Sequence, residues 1–141
     1  MLKNIPNIIS PDLMHIMMSM GHGDTLVIGD SNFAASTYGK RLARLDGHFN
    51  CDILNAVMQF MPLDQFVEYP VTLMKPNDNS KPEIWDKYEA ILRKHDNTFR
   101  EFEYIDRFSF YERAKNAYAC VATGETAIYA CMIITKGVII N

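Results

Sequence analysis

The sequence predicts a single α/β domain, a three-layer α/β/α arrangement in which helices cover both faces of a central, mostly parallel or mixed sheet. Short apolar runs typical of strands alternate with amphipathic helical segments along the chain, which is the pattern of this fold class. The chain has 141 residues, of which 48% are hydrophobic, and this is enough for one sizeable core. There is no internal repeat, and the one linker-like stretch, KPNDNSKP at 75–82, separates elements rather than domains. We therefore expect residues 1–141 to form one domain.

The first helix is clearly signalled. Ser10 is suited to cap it, Pro11 fits its first turn and Asp12 complements its dipole. Apolar residues then recur at i, i+3, i+4 and i+7, starting from Leu13. Because glycine is the residue that most often follows a helix, the pattern predicts that this helix ends at Gly21.

Three more helices and six strands are predicted from the rest of the chain. One helix lies over 51–61, and another follows Pro82, where apolar residues form a stripe at helical spacing. The last begins at SFYE, because Ser109 and Glu112 have the spacing of a capping box. The runs typical of strands are 25–29, 41–45, 67–74, 102–105, 117–122 and 131–135.

Charge and cysteine content argue against several classes of function. The net charge is -3, with 14 basic and 17 acidic residues interspersed, so no basic stripe is available for nucleic acid or an anionic membrane. The three cysteines, Cys51, Cys120 and Cys131, lie far apart, which is typical neither of a zinc site nor of a disulfide framework. No apolar run reaches the roughly 18 residues of a membrane span, and the N-terminus has no export signal. We expect a soluble protein of the reducing cytoplasm.

His22 stands between two glycines in MGHGD, at the predicted junction of the first helix and the first strand. Glycines permit backbone conformations that other residues avoid, and they let a ligand approach closely. A histidine in such a place can transfer a proton near neutral pH. In the alternative interpretation, His22 belongs to a helix-ending turn and faces water or a carbonyl group.

Asp30 and Tyr129 stand beside predicted strands. Asp30 follows the first strand, and ligands of α/β sheets bind beyond the carboxyl ends of strands. Alternatively, Asp30 is a turn residue in GDSN that bonds its own backbone. Tyr129 precedes the last strand and is either structural or presents its hydroxyl at the start of that strand.

Arg107 follows the strand that ends in EYID and precedes the last predicted helix. A guanidinium in this position suits two neighbouring hydroxyl groups. An ordinary ion pair with Asp106 or Glu103 fits the position equally well. The aromatic residues nearby, Tyr111 among them, are interpreted as core residues.

No cofactor or metal is expected from the sequence motifs. ATGET at 122–126 lacks the lysine of a P-loop, and MGHGD is not a dinucleotide fingerprint. The four histidines show no spacing typical of a metal site, and no G-x-S-x-G motif occurs. Proton transfer therefore fits the sequence better than covalent or cofactor chemistry.

Taken together, several motifs resemble the RbsD/FucU family: MLKNIPNIISPDL, MGHGD, the GD at 29–30, DRFSFYERAKNAYA and TGETAIYACMIITKGV. They follow one another over almost the entire chain, and RFSFYERA is similar to the L-fucose branch of the family rather than its D-ribose branch. The resemblance implies a cytoplasmic enzyme that interconverts the anomers of a free sugar without metal or nucleotide. It also implies ring-shaped homo-oligomers, often decamers.

The resemblance implies roles for individual residues as well. His22 matches the family's proton-transferring histidine, and Asp30 and Arg107 match substrate-binding positions. The family has an asparagine at the last position of its substrate-contacting segment, where this chain has a thiol, which is a weak hydrogen-bond partner. That segment matches Tyr129, Ala130 and Cys131, and Tyr129 is expected to orient the sugar or to relay a proton.

The resulting prediction is an L-fucose mutarotase with sites shared between subunits. Asp30 lies eight positions after His22, and an extended chain at about 3.3 Å per residue places them up to roughly 26 Å apart. This separation exceeds the size of one sugar, so neighbouring subunits are expected to complete each pocket. The alternatives are a mutarotase for D-ribose or another aldose, and a non-catalytic sugar-binding or regulatory subunit.

Overall fold

The computed structural model describes residues 1–141 and contains five helices and six strands. All six predicted strands are confirmed, although each is shorter than its apolar run. No helix has the length and apolar character needed to span a membrane. In chain order the elements are α1 (Pro11–Ser19), β1 (Thr25–Ile28), α2 (Ala35–Tyr38), β2 (Leu42–Leu45), α3 (Asn50–Val57), β3 (Val71–Met74), α4 (Ile84–His95), β4 (Glu103–Ile105), α5 (Arg107–Asn116), β5 (Ala119–Thr123) and β6 (Met132–Thr135).

The sheet is mixed, with the strand order β2-β5-β1-β6-β3-β4. β1 pairs in parallel with β5 on one side, and β6 runs antiparallel between β1 and β3. The last three residues of β1, Leu26, Val27 and Ile28, are completely buried. Because β1 is hydrogen-bonded on both sides, its position is fixed. The residues just before and just after it therefore lie at the two opposite ends of this strand.

Apolar clusters cover both faces of the sheet. Leu26 and Ile28 belong to the cluster that contains residues of α1, α3 and α4. Val27 belongs to the other cluster, with residues of α2 and α5. This division follows from the alternation of side chains along a strand, and it confirms the predicted three-layer α/β/α arrangement with a mixed sheet.

The start of α5 differs from the prediction: the capping box predicted to begin at Ser109 is wrong. Asp106 caps the helix, and its carboxylate accepts the N–H groups of Phe108 and Ser109. The Ser109 hydroxyl donates to the same carboxylate at 2.7 Å. An aspartate that satisfies two free N–H groups is a strong cap, so the helix begins at Arg107, two residues before Ser109.

The end of α1 also differs from the prediction. The helix ends at Ser19, followed by Met20 in an extended conformation with φ -70° and ψ 137°. Gly21 is not the left-handed residue of this turn; Gly23 is, with φ +84°. The helix therefore ends two residues before Gly21, and the left-handed turn comes two residues after it, at Gly23.

Candidate active site

His22 lies in the turn between α1 and β1, where its imidazole contacts a buried carboxylate. His22 Nε2 is 3.0 Å from Asp64 Oδ1. The side chain of His22 is 45% exposed, whereas that of Asp64 is only 3% exposed. The same Oδ1 atom accepts the N–H of Phe66, whose ring centroid lies 5.6 Å from that of His22. A fixed acceptor thus holds one side of the imidazole while the other side reaches solvent.

The contact with Asp64 determines which imidazole nitrogen is available for proton transfer. A carboxylate only accepts hydrogen bonds, so His22 Nε2 donates and carries a hydrogen. In the neutral ring, Nδ1 is then the nitrogen with the free lone pair. Asp64 is itself fixed, because its N–H donates to the Thr135 carbonyl at 3.0 Å. The arrangement presents a proton acceptor of defined orientation at the protein surface.

The backbone around His22 is tied to the end of β6. The N–H of Gly23 donates to the Lys136 carbonyl at 2.8 Å, and the N–H of Lys136 donates to the backbone carbonyl of Asp24 at 2.9 Å. Position 23 requires a glycine because its φ is +84°, which residues with a side chain rarely adopt. Gly21 has no such requirement, but its N–H donates to Asp24 Oδ2 at 2.7 Å. The turn is therefore a well-bonded structure that exposes one imidazole.

Asp30 lies just beyond the other end of β1. Its N–H donates to Cys131 Sγ at 3.3 Å, and its Oδ1 accepts the N–H of Asn32 at 2.9 Å. The second bond is the turn-type contact that the sequence suggested as an alternative role. It occupies only one carboxylate oxygen, so Oδ2 is left for a hydroxyl donor.

Tyr129, Ala130 and Cys131, here called the YAC segment, lead into β6. Tyr129 has a left-handed backbone with φ 56°. The Cys131 side chain is almost fully buried and accepts the N–H of Asp30. Burial, and then the charge of Asp30, raise the pKa of the Cys131 thiol well above its ordinary value. The thiol is therefore neutral at pH 7 and lies buried against the backbone of Asp30.

Arg107 and Tyr111 lie one turn apart on α5, on the side of the sheet that carries α2. Arg107 is the exposed first residue of the helix, and its guanidinium carbon lies 5.1 Å above the Phe108 ring. Tyr111 stacks on Tyr38 with ring centroids 5.3 Å apart. Burial raises the pKa of the Tyr111 hydroxyl, and the positive charge of Arg107 partly offsets this rise. Arg107 and Tyr111 are therefore close enough to interact.

The predicted site residues thus separate into two groups. Asp30 and the YAC segment meet beyond the carboxyl end of β1, and Arg107 follows the parallel strand β4 at the same side of the sheet. His22 stands at the opposite end of β1 with Asp64. Within one chain the four-residue strand keeps the two groups apart, as the sequence spacing predicts.

A small cavity opens beside Asp30. Its volume is about 240 Å³, and its lining includes Phe33, Arg44, Asp46 and Thr123. Neither Arg107 nor Tyr129 lines it. No group of three or more His, Cys, Asp or Glu side chains is placed to hold a metal ion. The residues at the end of β1 form an open, polar, partial pocket in the single chain.

Sequence reasoning missed one residue at these places. Asp64 lies in PLDQF, which has no periodic pattern, and only the folded chain brings it to His22 from 42 positions away. Tyr111 is partly buried and packs against the apolar cluster of α2 and α5, as its prediction as a core residue implies.

Comparison with known proteins identifies one family over nearly the whole chain. The model of the RbsD / FucU transport protein family matches residues 3–139. The human protein named fucose mutarotase is 43% identical over 146 residues, which cover 98% of this chain and 94% of the human protein. The L-fucose mutarotase of Actinobacillus pleuropneumoniae serotype 5b is 40% identical over 140 residues, covering 98% and 97% of the two chains.

A solved structure agrees with these relatives. The crystal structure of the fucose mutarotase from Streptococcus pneumoniae in complex with L-fucose superimposes with a TM-score of 0.92 at 40% identity. The match covers 99% of this chain and 100% of the other. Similarity in sequence and in fold therefore extends from end to end of both proteins.

Proposed function

The chain belongs to the RbsD/FucU family, and on that basis we propose that it is an isomerase that interconverts the α and β anomers of free L-fucose. The observation that carries the proposal is its 40–43% identity, over 98% of its length, to proteins named fucose mutarotase. The family predicted from the sequence motifs is confirmed by the match over residues 3–139. L-Fucose is favoured over D-ribose because these relatives, and the sugar-bound neighbour in structure, are named for fucose.

The reaction requires proton transfer only. A base removes the proton of the anomeric hydroxyl while an acid protonates the ring oxygen, so the C1–O5 bond breaks and an open-chain aldehyde forms. Rotation about C1–C2 and ring closure on the other face then give the second anomer. Neutral His22 accepts the proton of the anomeric hydroxyl through Nδ1, since Asp64 holds Nε2, and the Tyr129 hydroxyl gives a proton to the ring oxygen; both protons return when the ring closes. General acid–base help of this kind typically contributes about 10²–10⁴ in rate.

The groups beyond the carboxyl end of β1 hold the sugar. The free Oδ2 of Asp30 accepts a hydrogen bond from a sugar hydroxyl. The Arg107 guanidinium donates to neighbouring hydroxyl oxygens of the sugar. The YAC segment contacts the sugar through the Tyr129 hydroxyl and its own backbone. Cys131 Sγ accepts the backbone N–H of Asp30, so at this position a contact with the Asp30 backbone takes the place of the family's asparagine side chain.

Each complete pocket combines residues of two subunits in a homo-oligomer, which we infer to be a ring-based decamer. Asp30 of one subunit and His22 of the partner subunit face the same sugar, because β1 separates the two residues within a chain. Exposed apolar side chains at both places support this assembly. Phe66 lies beside His22, and Phe108 and Ile128 adjoin Arg107 and the YAC segment; all three are more than two thirds exposed. In the assembled oligomer, contacts with the partner subunit would cover these side chains.

A cytoplasmic location completes the proposal. All three cysteines are free thiols, and two of them, Cys120 and Cys131, are buried. Unpaired thiols are typical of a reducing compartment.

The direct test of the proposed function is saturation-transfer NMR on L-fucose at anomeric equilibrium. The protein is expected to accelerate transfer between the two anomeric protons far beyond the buffer rate. His22→Ala and His22→Gln should remove most of this acceleration without unfolding the protein. Exchange that stays at the buffer rate despite sugar binding would indicate a non-catalytic binder. Faster exchange with D-ribose or D-galactose than with L-fucose would assign a different substrate.

A further inference from the structure

The YAC segment is held from the protein interior by side chains to which the proposed function gives no role. Trp85 Nε1 donates to the Tyr129 carbonyl at 3.0 Å. The Tyr88 hydroxyl donates to the Ala130 carbonyl at 2.8 Å, and Asn50 Nδ2 donates to the same carbonyl at 3.0 Å. Three donors from α3 and α4 therefore converge on two successive carbonyl groups of the sugar-binding segment.

The same network reaches the backbone next to Asp30. The Thr123 hydroxyl lies 2.6 Å from Asn50 Oδ1 and 2.7 Å from the carbonyl of Gly29, and its hydrogen is shared between the two acceptors. Gly29 immediately precedes Asp30, and Asn50 is completely buried. The buried amide of Asn50 therefore connects the YAC segment to the backbone beside Asp30.

The YAC segment needs such support because its backbone is unfavourable in isolation. Tyr129 has φ 56°, in the left-handed region that residues with a bulky side chain rarely adopt. A conformation of this kind persists only where the surroundings fix it, and it is most common at functional sites. The carbonyl of Ala130, a completely buried residue, would also lose its partners if the donors were removed.

We propose that Asn50, Tyr88 and Trp85 are positioning residues of the active site. They hold the YAC segment so that the Tyr129 hydroxyl and the Asp30 carboxylate face the same sugar. This inference rests on the proposed function, which assigns the sugar contacts to that segment. Tyr88 and Asn50 are completely buried, so they act on the reaction through the segment and not by touching the sugar.

The test is Tyr88→Phe, which removes one hydroxyl and keeps the ring in the core. We expect kcat for L-fucose anomer exchange to fall about ten-fold, because small displacements of reacting groups are costly. Hydrogen–deuterium exchange of the peptide that contains the YAC segment should become faster. The matched control is Asn55→Ala. It removes the 2.8 Å contact between Asn55 and His95, which joins the C-terminal ends of α3 and α4. This change should leave both kcat and the hydrogen exchange of the YAC segment unchanged.

Two results would overturn the positioning role: a Tyr88→Phe protein with normal kcat and KM, or one with unaltered hydrogen exchange in the YAC segment. If Tyr88→Phe does not fold, Trp85→Phe replaces it with the same expectations, since it removes the donor to the Tyr129 carbonyl. An unaltered protein that fails to accelerate anomer exchange refutes the proposed function instead. The hydrogen-exchange comparison then still decides whether these donors hold the segment.

Discussion

Replacing Asp64 by asparagine tests whether the buried carboxylate orients His22. The amide is close in size and keeps an oxygen that can accept the N–H of Phe66, which donates to Asp64 Oδ1 at 3.0 Å. Because that same oxygen faces His22 Nε2, the imidazole still donates to it, and only the negative charge of the acceptor is lost. A hydrogen bond to a charged group contributes about 1.5–3 kcal/mol, against about 0.5–1.5 kcal/mol for a neutral one. The orienting interaction therefore weakens by about 1–2 kcal/mol, which corresponds to roughly five- to thirty-fold slower anomer exchange.

The assay is saturation-transfer NMR on L-fucose at a fixed concentration of folded protein. The His22 side chain is 45% exposed, so solvent screening favours the lower part of that range. Asp52→Asn is the matched control, because it removes one negative charge at an exposed position of α3 and should leave the rate unchanged. If Asp64→Asn is folded and exchanges the anomers as fast as the parent protein, the orienting role of Asp64 is refuted.

Three further predictions concern stability and thiol chemistry. Hydrogen bonding to Arg113 lowers the pKa of Glu103, so this interaction stabilises the fold above the ordinary glutamate pKa and is lost as the pH falls through the lowered value. Arg113→Met should therefore reduce the urea midpoint at pH 7, and a deficit that persists at pH 2 would contradict this cause. Gly124→Ala should cost about 1–3 kcal/mol in urea unfolding, because the new Cβ would collide with the carbonyl oxygen of Asp46; equal midpoints would count against it. Burial raises the pKa of Cys120 to about 11, so intact mass should show no iodoacetamide adduct on this thiol at about pH 7.5 until the protein is unfolded.

Four strands, β1, β3, β5 and β6, could be predicted because each is an apolar run that the fold buries. TLVIG becomes β1, whose last three residues are completely buried. The four-residue helix α2 could not be predicted, since it is too short to show a helical period. At the start of α5, two residues had the chemistry of a cap, Ser109 and Asp106. The carboxylate satisfies two N–H groups and the serine hydroxyl together, which a search for a capping box does not anticipate.

The positions of the candidate site residues in the fold were predictable where these residues flank strands, and not where they depend on contacts distant in sequence. His22 and Asp30 stand next to β1 in the sequence, so their opposite positions follow from the strand between them. Asp64 reaches His22 only because the chain after α3 returns to the end of β6, where Leu63 bridges to Lys136. No local pattern encodes that return, and the carboxylate is apparent only in the folded structure.

Co-assembly of two inactive variants tests most directly whether each active site is shared between subunits. His22→Ala and Asp30→Ala are each expected to be inactive alone. When they are unfolded, mixed in equal amounts and refolded, about one quarter of the shared sites should combine an intact His22 with an intact Asp30. Anomer exchange is therefore expected to recover to about a quarter of the parent rate. Mixed oligomers that form but stay inactive would contradict the shared site.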